Sequence, residues 1–341
     1  MSSIGEQIDA IRDELGKRLL ILGHHYQRSS VVAHADESGD SLELARKAAA
    51  YGEAEKIVFC GVRFMAESAD MLSGANQTVY MPDTLAGCPM ARMADVGEAD
   101  AAWERLTGVG EEWVPVVYVN STAEIKAFCG RHGGSACTSS NAANVFEWAF
   151  EQRKKILFLP DEHLGVNTAH DLGLPDESVL CYDPGEEGGG LSDEQVANSR
   201  VVVWKGFCIV HVSFTVDHVE SVREQIPDAK IIVHPEAPKE VVRIVDAHGS
   251  TSQIINYVHE APEGSTIVIG TELNLVDRLG ERYRGVKTVK ALSPSVCANM
   301  SKTNERNLLQ ILQNWPQDHE VHVPEDVAVD ARKCLETMLG L

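Results

Sequence analysis

The 341-residue sequence has no run of about 18 apolar residues, so nothing in it reads as a membrane-spanning helix. Its opening stretch, MSSIGEQIDAIRDELGKR, reads as a charged amphipathic helix without an apolar signal core, and a cytoplasmic protein away from membranes is expected. Positive charge is scarce: 30 Lys and Arg face 51 Asp and Glu, a formal charge of −21, and no basic cluster breaks that balance. Nucleic acid is therefore not an expected partner. Closely paired cysteines are missing too. The eight, at 60, 88, 129, 137, 181, 208, 297 and 334, include no C-x-x-C, and H-E-x-x-H is absent, which removes the compact zinc and ferredoxin spacings. So dispersed, they are expected to be reduced thiols or metal ligands and not a disulfide framework. What remains, 44% hydrophobic and 24% charged, is an ordinary globular chain. At this length it has room for about two to three domains.

Three short apolar runs end abruptly in polar, chemically capable residues: RLLILGHHYQ (18–27), PVVYVNST (115–122) and AKIIVHPEA (229–237). All three have the composition of buried parallel strands. Each leads to a small-hydroxyl segment that opens a helical pattern, namely GDSLELARKAA, TSSNAANVFEWAF and GSTSQIINYVHE. Asp40 and Glu43 have capping-box spacing, and Ser139 and Thr251 stand where their hydroxyls could cap. A second apolar run follows each helix, KIVFCG, KILFLPD and STIVIGTE, and a cysteine closes each unit: Cys88, Cys208, Cys297. The middle unit is longer. Its Gly- and acid-rich stretch at 181–200 is expected to be an inserted mobile loop.

This repetition predicts an α/β protein of three αβα-sandwich units with parallel sheets, related by a pseudo-threefold axis around a central cavity. The expected domains are 1–87 with a returning 298–341, then 88–207, then 208–297. Ligand sites lie beyond the C-terminal ends of parallel strands, which aims all three polar clusters inward. Three thiolates converging there could hold a 4Fe-4S cluster by three irons and leave one iron open as a Lewis acid. Cys60 and Cys129, in apolar sequence, are expected to pack in the core. His24, Tyr26, Tyr118, Asn120, His234 and Glu236 supply candidate hydrogen-bond donors, acids and a base. In an extended segment, Pro235 would hold His234 and Glu236 on one face. The helix starts at Ser41, Ser139 and Thr251 offer anion sites.

In order and spacing, GHHYQ, GDSLELARKAA, VFCGVRFMAESA, LAGCPMARM, YVNSTAEIKA, CTSSNA, LPDEHLG, WKGFCIVH, VHPEAPKEVV, GSTSQII and CANM resemble the quinolinate synthase family from about Leu20 to Asn307. The resemblance implies an iron–sulfur enzyme of de novo NAD biosynthesis that condenses iminoaspartate with dihydroxyacetone phosphate. It implies Cys88, Cys208 and Cys297 as ligands of a 4Fe-4S cluster with one open iron. Iminoaspartate contacts would come from His24, Ser41, Tyr118, Val119, Asn120, Ser139, His234, Pro235, Glu236 and Thr251. Tyr26, Tyr118, His234 and Glu236 would be catalytic, and L-aspartate oxidase would be the metabolic partner. This chain departs from the family's common pattern at His25, commonly Tyr, at Ala237, often Cys, and at Ala298 in CANM, more familiar as CPNM. On the residues alone, an electron-transferring three-cysteine enzyme such as a diphosphate-reducing isoprenoid enzyme, or a small-anion binding protein with merely buried cysteines, would also fit.

Overall fold

The computed structural model describes residues 2–110 and 112–341, apart from the side chains at 42, 45 and 49. Its strands fall into three sheets. The first holds β1 (Leu19–His24), β2 (Glu37–Gly39), β3 (Lys56–Cys60) and β4 (Thr78–Tyr80), all parallel, in the order β2-β1-β3-β4. The second holds β5 (Trp113–Tyr118), β6 (Ser135–Cys137), β7 (Lys155–Leu159), β8 (Val179–Tyr182) and β9 (Val201–Trp204), parallel, in the order β6-β5-β7-β9-β8. The third holds β10 (Lys230–Val233), β11 (Ala247–His248), β12 (Thr266–Gly270) and β13 (Thr288–Ala291), parallel, in the order β11-β10-β12-β13. A short β14 (Glu320–Val321) adds to the first sheet, antiparallel to β4. The chain is therefore α/β, and with β8 and β14 set aside every sheet has the same second-first-third-fourth strand order. The additional strand β8 is the extra element of the middle unit.

Apolar runs become central strands here because both faces of a parallel sheet are buried. In β1, Leu20 and Leu22 enter one core while Leu19 and Ile21 enter the other. In the third sheet Ile231 and Val233 lie on one side, and Ile232 with Ile267 and Ile269 on the other. Each such side chain contributes about 1.5–3 kcal/mol by leaving water. Cys60 and Cys129 are fully buried core residues, as expected.

The 181–200 stretch is folded, and this corrects the mobile-loop expectation. Tyr182, at the end of β8, stacks on Trp204 with ring centroids 5.4 Å apart. Gly189, at φ +72°, lies so close to the Tyr182 ring that a Cβ would fall 2.1 Å from it. Glycine here serves close approach, whereas composition alone suggested looseness. The helix Asp193–Asn198 starts on a Ser192–Gln195 capping box, and Lys155 Nζ donates to the carbonyls of Val196 (3.1 Å) and Ala197 (2.6 Å).

The C-terminal segment divides. The helix Glu305–Asn314 packs on the N-terminal helix Ile4–Leu15, and β14 extends the first sheet. The last helix, Glu325–Gly340, lies chiefly against the helix Ala123–Arg131 and β6 of the second unit while touching Arg63–Leu72 of the first. Gly130 makes that approach backbone to backbone, since a Cβ there would meet the Asp330 carbonyl at 1.9 Å.

Candidate active site

The C-terminal ends of β1, β5 and β10 deliver their polar groups to one cavity. His24, Tyr26, Ser41, Cys88, Tyr118, Val119, Asn120, Ser139, Cys208, His234, Glu236, Thr251 and Cys297 all line it. Pro235 does not; its carbonyl instead accepts a hydrogen bond from Asn167 Nδ2 at 2.8 Å. His234 and Glu236 share the cavity because the chain turns there, Ala237 N–H donating to His234 C=O at 3.0 Å, and not because the segment is extended. No residue of 181–200 is among the lining.

The first and third units use one local device. The backbone N–H of Tyr26 donates to His24 Nδ1 (3.1 Å), and that of Glu236 to His234 Nδ1 (3.4 Å). Each ring thus carries its proton on Nε2. For His234 that proton meets the Ser139 hydroxyl at 3.2 Å. Burial drives both histidines down, His24 well below 6.5 and His234 to about 3, so both stay neutral near pH 7.

Neither of the hydroxyls expected to cap helices, Ser139 and Thr251, does so. Ser250 forms the capping box with Gln253 in the third unit, while in the second the helix Ala142–Glu151 starts at Asn141 without a side-chain cap, Asn141 Oδ1 accepting instead from the Thr138 N–H that precedes it. Thr251 and Ser139 are left to the cavity. Asp40 and Glu43 do form the expected box, at 2.9 and 3.1 Å. Among the described residues no Lys or Arg lines the cavity, so anions here are met by hydroxyls, neutral histidines and helix starts. Asn120 Oδ1 is buried without a hydrogen-bond partner, an acceptor with nothing yet to accept.

A proton network crosses the cavity. Tyr118 Oη donates to Glu236 Oε1 at 2.6 Å, and His211 Nδ1 lies 3.0 Å from Glu236 Oε2. His211 Nε2 is 3.3 Å from both Tyr26 Oη and Thr271 Oγ1, and those two hydroxyls share a 2.7 Å hydrogen bond. The His211 ring stacks on His234, centroids 4.3 Å apart. Burial alone would raise Glu236, but His211, His234 and the hydrogen bonds from His211 and Tyr118 outweigh it and hold the carboxyl at about 2. Burial and the Glu236 charge push both tyrosines well above 10. Glu236 is therefore a charged acceptor between Tyr118 and His211. His211 and Thr271 were missed in the sequence; His211 stands inside WKGFCIVH, where only its position three residues after Cys208 could have drawn notice.

Cys88, Cys208 and Cys297 come from three different loops and are free thiols, as are the other five cysteines. Burial pushes Cys88 up to about 12 and raises the other two, and Cys88 sits close enough to both to raise them or be raised by them. Against burial, the backbone amides of the second and third residues after each cysteine act to lower its thiol: Met90 and Ala91, Val210 and His211, Asn299 and Met300. Such paired amides favour a thiolate, and a bound cation would complete its stabilisation. The donor set thus fits a thiolate-held metal group. Ligand atoms of Cys208, His211 and Glu236 also lie within 4.8 Å of one another.

Residues 6–340 match the family described as Quinolinate synthetase A protein. The chain belongs to the quinolinate synthase family. Its sequence is 46% identical to the quinolinate synthase of Bacillus subtilis strain 168, over 98% of this chain and 92% of that one. The quinolinate synthase of Streptomyces coelicolor is likewise 46% identical, over 97% and 86%, and that of Halalkalibacterium halodurans is 50% identical over 86% and 79%. Among solved structures, an E-1-hydroxy-2-methyl-but-2-enyl-4-diphosphate reductase from Plasmodium falciparum aligns over 93% of this chain and 85% of that one, at 11% identity and a TM-score of 0.26. Among the described residues, no helix is long and apolar enough to cross a membrane.

His25, next to the cavity-lining His24, has a measurable consequence. Burial and the nearby Arg278 charge lower it from 6.5 to about 4. The unfolded chain takes up this proton first, so the stability that the neutral ring contributes is complete above pH 6.5 and declines as pH falls toward 4, by about 1.4 kcal/mol per unit. Urea unfolding at pH 8, 6 and 5 should show a shallower acid decline for His25→Tyr than for the parent; parallel declines would mean that His25 is protonated in the folded protein.

Proposed function

We propose that this cavity makes quinolinate, the pyridine precursor in de novo NAD biosynthesis, from iminoaspartate and dihydroxyacetone phosphate, releasing phosphate and two waters. Reactants and products balance without an oxidant or reductant. The observation that carries the reading is the convergence, in a member of this family, of three amide-supported cysteines, three helix starts and a Tyr–Glu–His–Tyr network on one cavity. The repeated strand order supports three αβα units about a pseudo-threefold axis, divided as 1–87 with 298–341, 88–207 and 208–297, with the last helix bridging the first two.

Cys88, Cys208 and Cys297 would hold a 4Fe-4S cluster whose open iron supplies a Lewis acid for a substrate carboxylate or hydroxyl. The remaining chemistry belongs to this chain's own groups. The Ser41, Ser139 and Thr251 hydroxyls, His24, His234 and the Tyr118–Asn120 segment bind the two carboxylates of iminoaspartate. Tyr118, kept protonated, donates to an oxygen of the triose-derived intermediate, while Glu236 orients it and receives protons through His211. Tyr26, at the far end of that network, serves the second dehydration. Closure of the ring by the imine nitrogen needs only orientation and water exclusion, which the buried walls provide. Iminoaspartate is an unstable imine that two-electron oxidation of aspartate supplies, which supports L-aspartate oxidase as the metabolic partner and the cytoplasm as the site of action.

An anaerobic assay of the iron- and sulfide-reconstituted protein, given freshly generated iminoaspartate and dihydroxyacetone phosphate, should yield quinolinate by chromatography, and air should abolish the yield. A brown, cluster-loaded protein that makes none would overturn the substrate assignment and favour the electron-transferring alternative.

A further inference from the structure

Asp40 stands where the three units meet. Its carboxylate is buried, 7% exposed, and lines the cavity. One oxygen does ordinary helix work, Oδ1 accepting from Glu43 N–H at 2.9 Å. The other leaves its own unit: Oδ2 accepts from the Ser140 hydroxyl at 2.8 Å and from the Ser252 hydroxyl at 3.2 Å. Ser140 lies just before the helix Ala142–Glu151, and Ser252 is the second residue of the helix Thr251–Glu260. Each of the three residues is the immediate neighbour of a cavity-lining hydroxyl residue, Ser41, Ser139 or Thr251. One carboxylate oxygen thus ties the helix starts of the second and third units to that of the first.

We propose that Asp40 is a positioning residue that locks the three helix starts into one anion-receiving floor and thereby sets how tightly a dicarboxylate binds. This rests on the functional reading above. A floor made of neutral hydroxyls and helix starts has no strong charge to tolerate misplacement, so its affinity depends on the donors being held in place beforehand. An oxygen shared by two hydroxyls in a buried site does this without placing a cation in the cavity. Capping alone accounts for Oδ1 and leaves the two links from Oδ2 unexplained.

The double variant S140A/S252A removes both links and leaves the Asp40–Glu43 box intact. Anaerobic calorimetry of the cluster-loaded enzyme with quinolinate, itself a dicarboxylate, should show its Kd rise about tenfold or more. Cluster absorbance should stay unchanged. D40N should bind quinolinate close to wild type, because an amide can keep the cap through its oxygen and donate to both serines through its nitrogen; D40A should resemble the double variant or be worse. Kd within twofold of wild type in S140A/S252A would overturn the proposal, as would a D40N defect equal to that of D40A. Hydrogen exchange on ligand-free protein separates this from the functional reading. Faster exchange at residues 139–143 and 251–254 in the double variant supports the lock even if wild type fails to bind quinolinate, and unchanged exchange there overturns it.

Discussion

Cys208→Ala is expected to purify folded and colourless after anaerobic reconstitution, with no detectable quinolinate formation. On the proposed reading the substitution removes one of three ligands, and the loss should exceed the ~10–100-fold that removing a mere outer-shell partner costs. As a ligand, Cys208 would stand beside the proton network, its sulfur within 4.8 Å of His211 and Glu236 ligand atoms. The two amides that now point at its sulfur, from Val210 and His211, would lose their acceptor. Cys60→Ala is the control: that thiol is fully buried in a core on the first sheet, and its loss should lower stability modestly while iron content and turnover persist. Full activity in the Cys208 variant, or loss of the cluster in both, would remove the cysteine assignment.

Glu236→Gln should fold, retain the cluster and lose about 10²–10⁴ in kcat, the usual contribution of a positioned acid–base group. The geometry makes the loss specific. Glu236 accepts from Tyr118 Oη and faces His211 Nδ1, so two donors converge on it. An amide can accept from only one side and presents N–H to the other, forcing either Tyr118 to turn away or His211 to change tautomer. Because the carboxylate is already charged in the resting site, the defect should not be relieved by raising the pH. Turnover at the wild-type level would take Glu236 out of the proton path; an equal loss of cluster absorbance would make its role structural.

Much of this was legible because chemistry and periodicity coincide in the sequence. Apolar runs that stop at His24, Tyr118 and His234 announce strand ends, and strand ends in parallel sheets locate the cavity. What was not legible depends on partners distant along the chain. CPMA, CIVH and CANM share only their cysteine, yet all three fold the same amide pair onto sulfur, because that turn needs backbone and no particular side chain. His211 carried no signal in the sequence, because Glu236, 25 residues on in the same unit, and Tyr26, from the first, reach it only in the fold. Asp40 looked like a cap, which is half of what its carboxylate does. The 181–200 segment was misread because glycine and acidic residues lower hydrophobicity whether they loosen a chain or let it pass close to Tyr182. An amphipathic pattern in 325–340 marks a buried face but carries no information on what covers it, and here the partner is a helix some 200 residues upstream.

That last contact also orders the birth of the molecule on the ribosome. The third sheet and its two cores draw almost wholly on residues 214–292 and can close as soon as that stretch emerges. The first sheet lacks β14 until residue 321 is made, and Ala328, Ala331, Leu335 and Met338 belong to the core shared by the first two units. At about 5–20 residues per second, the N-terminal units wait on the order of ten seconds or more with an open edge and an uncovered helix. The last unit translated is thus the first able to finish, and the carboxyl terminus works as a clasp. Losing its final turns to a nick or a premature stop would leave the ligand loops synthesised but the walls that aim them unfastened.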